Sequence, residues 1–70
     1  MKSYAIVDNK VVHIGDHVGF KSDIEQSGKI VSIQGKGKDA ILELYSKDGF
    51  QGDYLRYDQY TEEPARECWL

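Results

Sequence analysis

Gly15 to Ile33 reads as a turn, a strand, an irregular loop, a glycine hinge and a second strand, a pattern that suits a sheet and not a helix. Val18 and Phe20 alternate with His17, Gly19 and Lys21, the period-two signature of a strand with one buried face. Gly15-Asp16 reads as the turn into this strand. Ser22 to Ser27 reads as an irregular polar loop, in which Ile24 is a plug that pins the loop onto the core. Gly28 stands just before the next apolar run, where a chain often needs positive φ to swing back. Lys29 to Gln34 reads as a further strand. Its Ile30, Val31 and Ile33 cannot all share one face, so a bulge or a bend across a corner is expected there.

The flanking segments extend this unit. Tyr4 to Val7 and Val11 to Ile14 are short apolar runs on either side of Asp8-Asn9-Lys10, and together they predict a hairpin. Gly35 to Asp39 is a flexible hairpin tip. The strand Ala40 to Tyr45 follows, with Leu42 and Leu44 inward and Glu43 outward. Ser46 to Gly49 is a second turn. Asp53 to Tyr57 reads as a strand with Leu55 and Tyr57 toward the core and Tyr54 and Arg56 outward. Thr61 has the chemistry of a helix N-cap, with Glu62 and Glu63 in a first turn whose dipole favours negative charge. Pro64 is tolerated there, because first-turn amides need no partner within the helix. Ala65, Cys68 and Trp69 then share one helical face. A helix of one or two turns gains order only by docking, so Trp69 is expected to anchor it on the sheet or on another chain.

Seventy residues make one domain, 1 to 70, with a thin core, since a chain of this length buries only about 60% of the surface exposed when unfolded. The single Cys68 cannot form an internal disulfide and fits a reducing compartment. A meander whose sheet closes on itself is the economical solution. The N-terminal apolar run is too short for a signal peptide, and no window approaches the ~20 apolar residues of a membrane span. A soluble, cytoplasmic protein is the expectation.

Gly15, Asp16, Val18, Phe20, Gly28, Ile30 and Ile33 resemble the opening strand-loop-strand of a small SH3-like barrel of the KOW or Tudor type. The resemblance covers about a quarter of the chain and implies an all-β fold: a small SH3-like barrel of about five strands with a short C-terminal helical turn. It departs from the KOW pattern at residues 22 to 27, which are acidic where the ribosomal versions are basic and glycine-rich. The whole chain also resembles small uncharacterised proteins of tailed phages, through Gly-Asp-Tyr-Leu-Arg-Tyr (52 to 57) and Glu-Pro-Ala-Arg-Glu-Cys-Trp (63 to 69).

The net charge of −3 is carried by the C-terminal part. Residues 1 to 45 hold six lysines and six acidic residues. Residues 46 to 70 hold Lys47, Arg56 and Arg66 against Asp48, Asp53, Asp58, Glu62, Glu63 and Glu67. An acidic surface repels phosphates, which supply most non-specific nucleic-acid affinity, and this favours a protein partner. Phe50, Tyr54, Tyr57 and Tyr60 cluster around Arg56, and tyrosine and arginine are favoured at interface hot spots. Such aromatics serve either the core of a small barrel, with Tyr hydroxyls at the rim, or an interface; on the second reading Phe50, Tyr54, Arg56 and Tyr60 are the expected partner-binding residues of a non-enzymatic interaction module, which the phage resemblance would make an accessory protein acting on a host factor. In SH3-like barrels such aromatics line peptide grooves, and in Tudor domains they cage methylated side chains; these are implications of the resemblance. The alternative is a KOW-like RNA- or DNA-binding module using Lys29, Lys36, Lys38 and Arg56. The Lys36 and Lys38 tip carries no aromatic on which a base could stack. His13, His17 and Cys68 show no convergent metal-ligand spacing. Cys68 reads as a small buried hydrophobe, and no metal or cofactor is expected. Self-association remains open from the sequence.

Overall fold

The structure, a computed structural model, describes residues 3–22, 24–46 and 59–70, with the backbone alone at 22 and 24. It is a small all-β domain of two antiparallel sheets. β1 (Ala5–Val7) and β2 (Lys10–Val12) form a hairpin; β3 (His17–Ser22), β4 (Ile24–Gln34), β5 (Ile41–Ser46) and β6 (Gln59–Pro64) form a four-stranded sheet in that order. One 3₁₀ turn, Ala65–Glu67, follows β6. No helix among the described residues is long and apolar enough to cross a membrane.

The first hairpin turns at Asp8 and Asn9, both at positive φ (51° and 63°), with Val7 opposite Lys10. A two-residue turn with both centres left-handed matches the natural twist of a hairpin, and Asp and Asn tolerate that conformation better than most residues. The next turn uses the expected Gly15-Asp16 pair for two different reasons. Gly15 adopts φ 103°, while the Asp16 carboxylate accepts a hydrogen bond from the His13 amide at 2.8 Å. The amides of Gly15 and Ile30 then donate to the carbonyls of Ile30 and Asp16, each at 2.8 Å, which fixes the turn to β4.

Two expectations need correction. Ser22 to Ser27 is not an irregular loop: β4 begins at Ile24, and the β3–β4 ladder runs Lys21↔Glu25, Phe20↔Gln26, Gly19↔Ser27, Val18↔Gly28. Gly28 therefore lies inside a strand and does not turn the chain. The side chain of Ile24, read as a plug, lies outside the described residues, as does Asp23. Likewise Thr61, Glu62 and Glu63 do not open a helix. They continue β6 and pair with Leu44, Glu43 and Leu42. Pro64 ends that edge strand, where a missing amide costs no ladder bond, and only three residues beyond it are helical. The expected bulge is present. The β4–β5 register shifts between Ile30 and Ser32, so Ile30 faces Leu44 and Ile33 faces Leu42 although three residues separate the isoleucines and two the leucines.

The core lies between the inner face of the four-stranded sheet and the hairpin. Val18, Phe20, Ile30, Leu42 and Leu44 pack with Ala5, Val7 and Val12, and Ala40, Ala65 and Cys68 complete the cluster. Phe20 is 1% exposed. The chain end is tied to this assembly at three points: the Ala65 amide donates to the Ala40 carbonyl (2.9 Å), Gly19 and Trp69 exchange two backbone hydrogen bonds (2.7 and 2.9 Å), and the Leu70 amide donates to the Asp8 carboxylate (2.8 Å). The half-buried Trp69 indole lies over Gly19, where an added Cβ would collide with indole Nε1.

Two substitutions test this architecture. Phe20→Ala should cost ~3–5 kcal/mol by leaving a cavity, seen as loss of most of the denaturation free energy. Gly19→Val should displace the indole at a cost of ~1–3 kcal/mol and shift the emission of Trp69, the chain's one tryptophan, to the red. Unchanged emission in Gly19→Val would contradict the packing of Trp69 on β3.

Candidate functional site

The strand registers determine which side chains meet on the outer face of the four-stranded sheet. His17 lies opposite Lys29, Lys29 opposite Tyr45, and Tyr45 opposite Tyr60, so these four form one row across β3, β4, β5 and β6. The next row is Ser32, Glu43 and Glu62, also in direct register. Because side chains alternate along a strand, Leu42 and Leu44 point to the core while Glu43 and Tyr45 point away. The β5–β6 ladder thus presents a block of four, with two tyrosines above two glutamates.

Tyr45 and Tyr60 stack as a tilted cross-strand pair, with ring centroids 5.2 Å apart and an interplanar angle of 44°. This geometry falls in the favourable range for aromatic pairs. Tyr45 is half-buried, whereas Tyr60 is 61% exposed, the most exposed large apolar side chain among the described residues. Glu43 is half-buried and Glu62 exposed.

Of the residues expected to bind a partner, Tyr60 is placed on this face; Phe50, Tyr54 and Arg56 lie outside the described residues, as do Leu55 and Tyr57. Of the lysines considered for nucleic acid, Lys29 sits in the tyrosine row. Lys36 and Lys38 lie beyond Gln34 in the β4–β5 tip, whose Gly35 and Gly37 have φ 77° and 69°. Five residues of β4 between Lys29 and Gln34 already span roughly 17 Å, so Lys29 and the tip lysines do not form one patch. Tyr45, Glu43 and Glu62 were not singled out from sequence. The signal was available in the polar–apolar alternation of Ile41 to Tyr45, but their partners on β6 follow only once residues 59 to 64 are known to be a strand.

A second feature is a cavity of about 310 Å³ lined by Ile6, Asp8, Asn9, Lys38, Ala65, Arg66 and Cys68. Arg66 at its rim forms an ion pair with Asp39 at 3.0 Å, both side chains largely exposed, and such pairs contribute little. The Cys68 thiol donates to the Pro64 carbonyl at 3.5 Å. Burial, with smaller contributions from Glu63 and Glu67, pushes its pKa up to about 11. At neutral pH the thiol is therefore protonated and a poor nucleophile. His13 and His17 are exposed, and no group of three or more His, Cys, Asp or Glu side chains converges among the described residues.

No protein-family model matches the chain, and comparisons with curated proteins and with solved structures find no match.

The thiol yields a pH prediction. Folding favours the neutral form, so the Cys68 contribution is fully present below pH 9.0 and is lost as pH rises from there to about 11. Cys68→Ala should therefore show a shallower loss of denaturation free energy than the parent across that window. Identical slopes would refute the burial of an ionisable thiol. In the folded protein at pH 8, iodoacetamide should leave Cys68 largely unmodified by mass spectrometry.

Proposed function

We propose that the chain is a small protein-interaction module that binds a partner through the outer face of β5 and β6, with Tyr60 as its anchor. The observation that carries this reading is the exposure of Tyr60 on a rigid ladder, braced by Tyr45. Tyrosine is among the residues favoured at interface hot spots, because it offers a large apolar area with a polar handle. We further read the four-stranded sheet as the wall of an SH3-like barrel, in which the Gly19–Trp69 pairing brings the chain end to the free edge of β3. The reciprocal hydrogen bonds and the 3₁₀ turn just before Trp69 support that reading. The acidic C-terminal part and the separation of Lys29 from Lys36 and Lys38 weigh against a phosphate-binding surface.

The test is affinity capture from a lysate of the native cell, with and without nuclease. The parent should retain a protein that nuclease treatment does not release and that moderate salt does not elute. Tyr60→Ala should lose it while costing no more than ~1 kcal/mol of stability, the worth of an exposed aromatic pair. The double substitution Lys36→Glu, Lys38→Glu should change neither. Release by nuclease, or loss of binding in the lysine variant with a steep salt dependence, would move the module to nucleic acid.

A further inference from the structure

The inference below rests on the reading of the β5–β6 face as an interaction surface and specifies the chemistry of its occupant. Glu43 and Glu62 stand directly opposite one another across an antiparallel pair. Like charges in that position destabilise a sheet. Among the described residues neither carboxylate has a hydrogen bond or an ion pair; the one ion pair present is Arg66–Asp39, at the other end of the chain's strand ladder near Ala40 and Ala65. Lys29, the cation of the same face, lies in the tyrosine row opposite Tyr45 and is not within ion-pair distance of either glutamate. Among the described residues the repulsion is thus left uncompensated, and a cation supplied from outside would remove it.

The row above supplies the second requirement. Tyr45 follows Glu43 and Tyr60 precedes Glu62 by two residues on their own strands, so the two rows are about 7 Å apart along the strands on the same face. That is a distance an extended basic side chain can span, with its stem on the Tyr60 ring and its head between the carboxylates. Ring faces attract cations through their quadrupole. A planar guanidinium can both stack on a ring and donate two parallel hydrogen bonds to a carboxylate, whereas an ammonium acts as a point charge. In sequence, residues 46 to 70 hold six acidic and three basic side chains, so this part of the chain is net negative.

We infer that the block Glu43, Tyr45, Tyr60, Glu62 is a docking site for an arginine side chain of a protein partner. The partner segment is basic, and its arginine lies across Tyr60 with the guanidinium between Glu43 and Glu62.

The experiment follows backbone amide resonances of the ¹⁵N-labelled chain during titration with a capped Gly-Arg-Gly-Arg-Gly peptide, its lysine counterpart, its glutamate counterpart and a thymidine decanucleotide. The arginine peptide should shift Glu43, Tyr45, Tyr60 and Glu62 saturably at up to millimolar concentration, with the lysine peptide several-fold weaker. In the Glu43→Gln, Glu62→Gln double variant the affinity should fall at least about tenfold, the loss expected of charge-assisted contacts, while the melting temperature rises because the opposed charges are gone. Absence of saturable shifts with the arginine peptide, equal binding of the lysine peptide, or shifts that survive the double substitution would overturn the inference. So would saturable shifts by the glutamate peptide or the oligonucleotide on this face. If Tyr60→Ala leaves arginine binding intact while the double variant loses it, the cationic occupant stands and the Tyr60-anchored reading falls. If Tyr60→Ala abolishes partner capture but the double variant does not, the interaction face stands and the arginine site is refuted.

Discussion

Gly19 and Trp69 exchange both of their backbone hydrogen bonds across fifty residues of sequence, and the placement of the whole C-terminal segment depends on that pairing. The contact requires glycine. A side chain at residue 19 would occupy the volume of the indole, and only the bare Cα lets the ring approach β3 this closely. Once Trp69 is held there, Ala65 and Cys68 lie against the core cluster and the Leu70 amide reaches the Asp8 carboxylate in the first hairpin turn. The chain end thereby adds a link between the hairpin and the four-stranded sheet beside their shared core. A two-stranded hairpin is marginal alone. Here β1 gains a second attachment, because the Ile6 amide donates to the Gly37 carbonyl in the β4–β5 tip.

The apolar alternation made most of this order legible. Val18 and Phe20, Leu42 and Leu44, and the conflict among Ile30, Val31 and Ile33 each lead to the observed faces and to the bulge, because burial of one sheet face fixes register. What misled was polar sequence. Glu25 and Ser27 point outward from β4 and the polar Gln26 stands opposite Phe20, so a strand segment whose one large apolar residue is Ile24 reads as a loop. Thr61-Glu62-Glu63-Pro64 has the chemistry of a helix start, yet the same residues suit an edge strand that ends in proline. Local propensity cannot choose between them; pairing with Leu42 and Leu44 does. The anchoring role of Trp69 was readable, but the residue beneath it was not, since Gly19 is just one more outward position in the alternation.

The same asymmetry governs the candidate surface. Tyr60 stood out because it belongs to an aromatic cluster in the sequence, whose other members, Phe50, Tyr54 and Arg56, lie outside the described residues. Its neighbours in space come from β5, fifteen and more residues away. A search for contiguous motifs finds the anchor and misses Tyr45, Glu43 and Glu62, which a ladder register brings together. Lysines close in the sequence behave oppositely: Lys29, Lys36 and Lys38 look like one basic group, but the C-terminal half of β4 separates Lys29 from the two tip lysines.

The block on β5 and β6 is also rigid for the same reason that the core is. Leu42 and Leu44 are fully buried, so the alternation of β5 fixes Glu43 and Tyr45 on the opposite face without further ordering. A partner meeting this face need not immobilise a loop, and the side-chain entropy lost on binding is confined to the few exposed groups, chiefly Tyr60 and Glu62. The cost is borne beforehand by the free protein, as repulsion between two carboxylates held in register by the leucines behind them. Residues that pack the interior thus also impose the unfavourable charge pair outside, and a binding face of this kind is expected to trade stability for recognition.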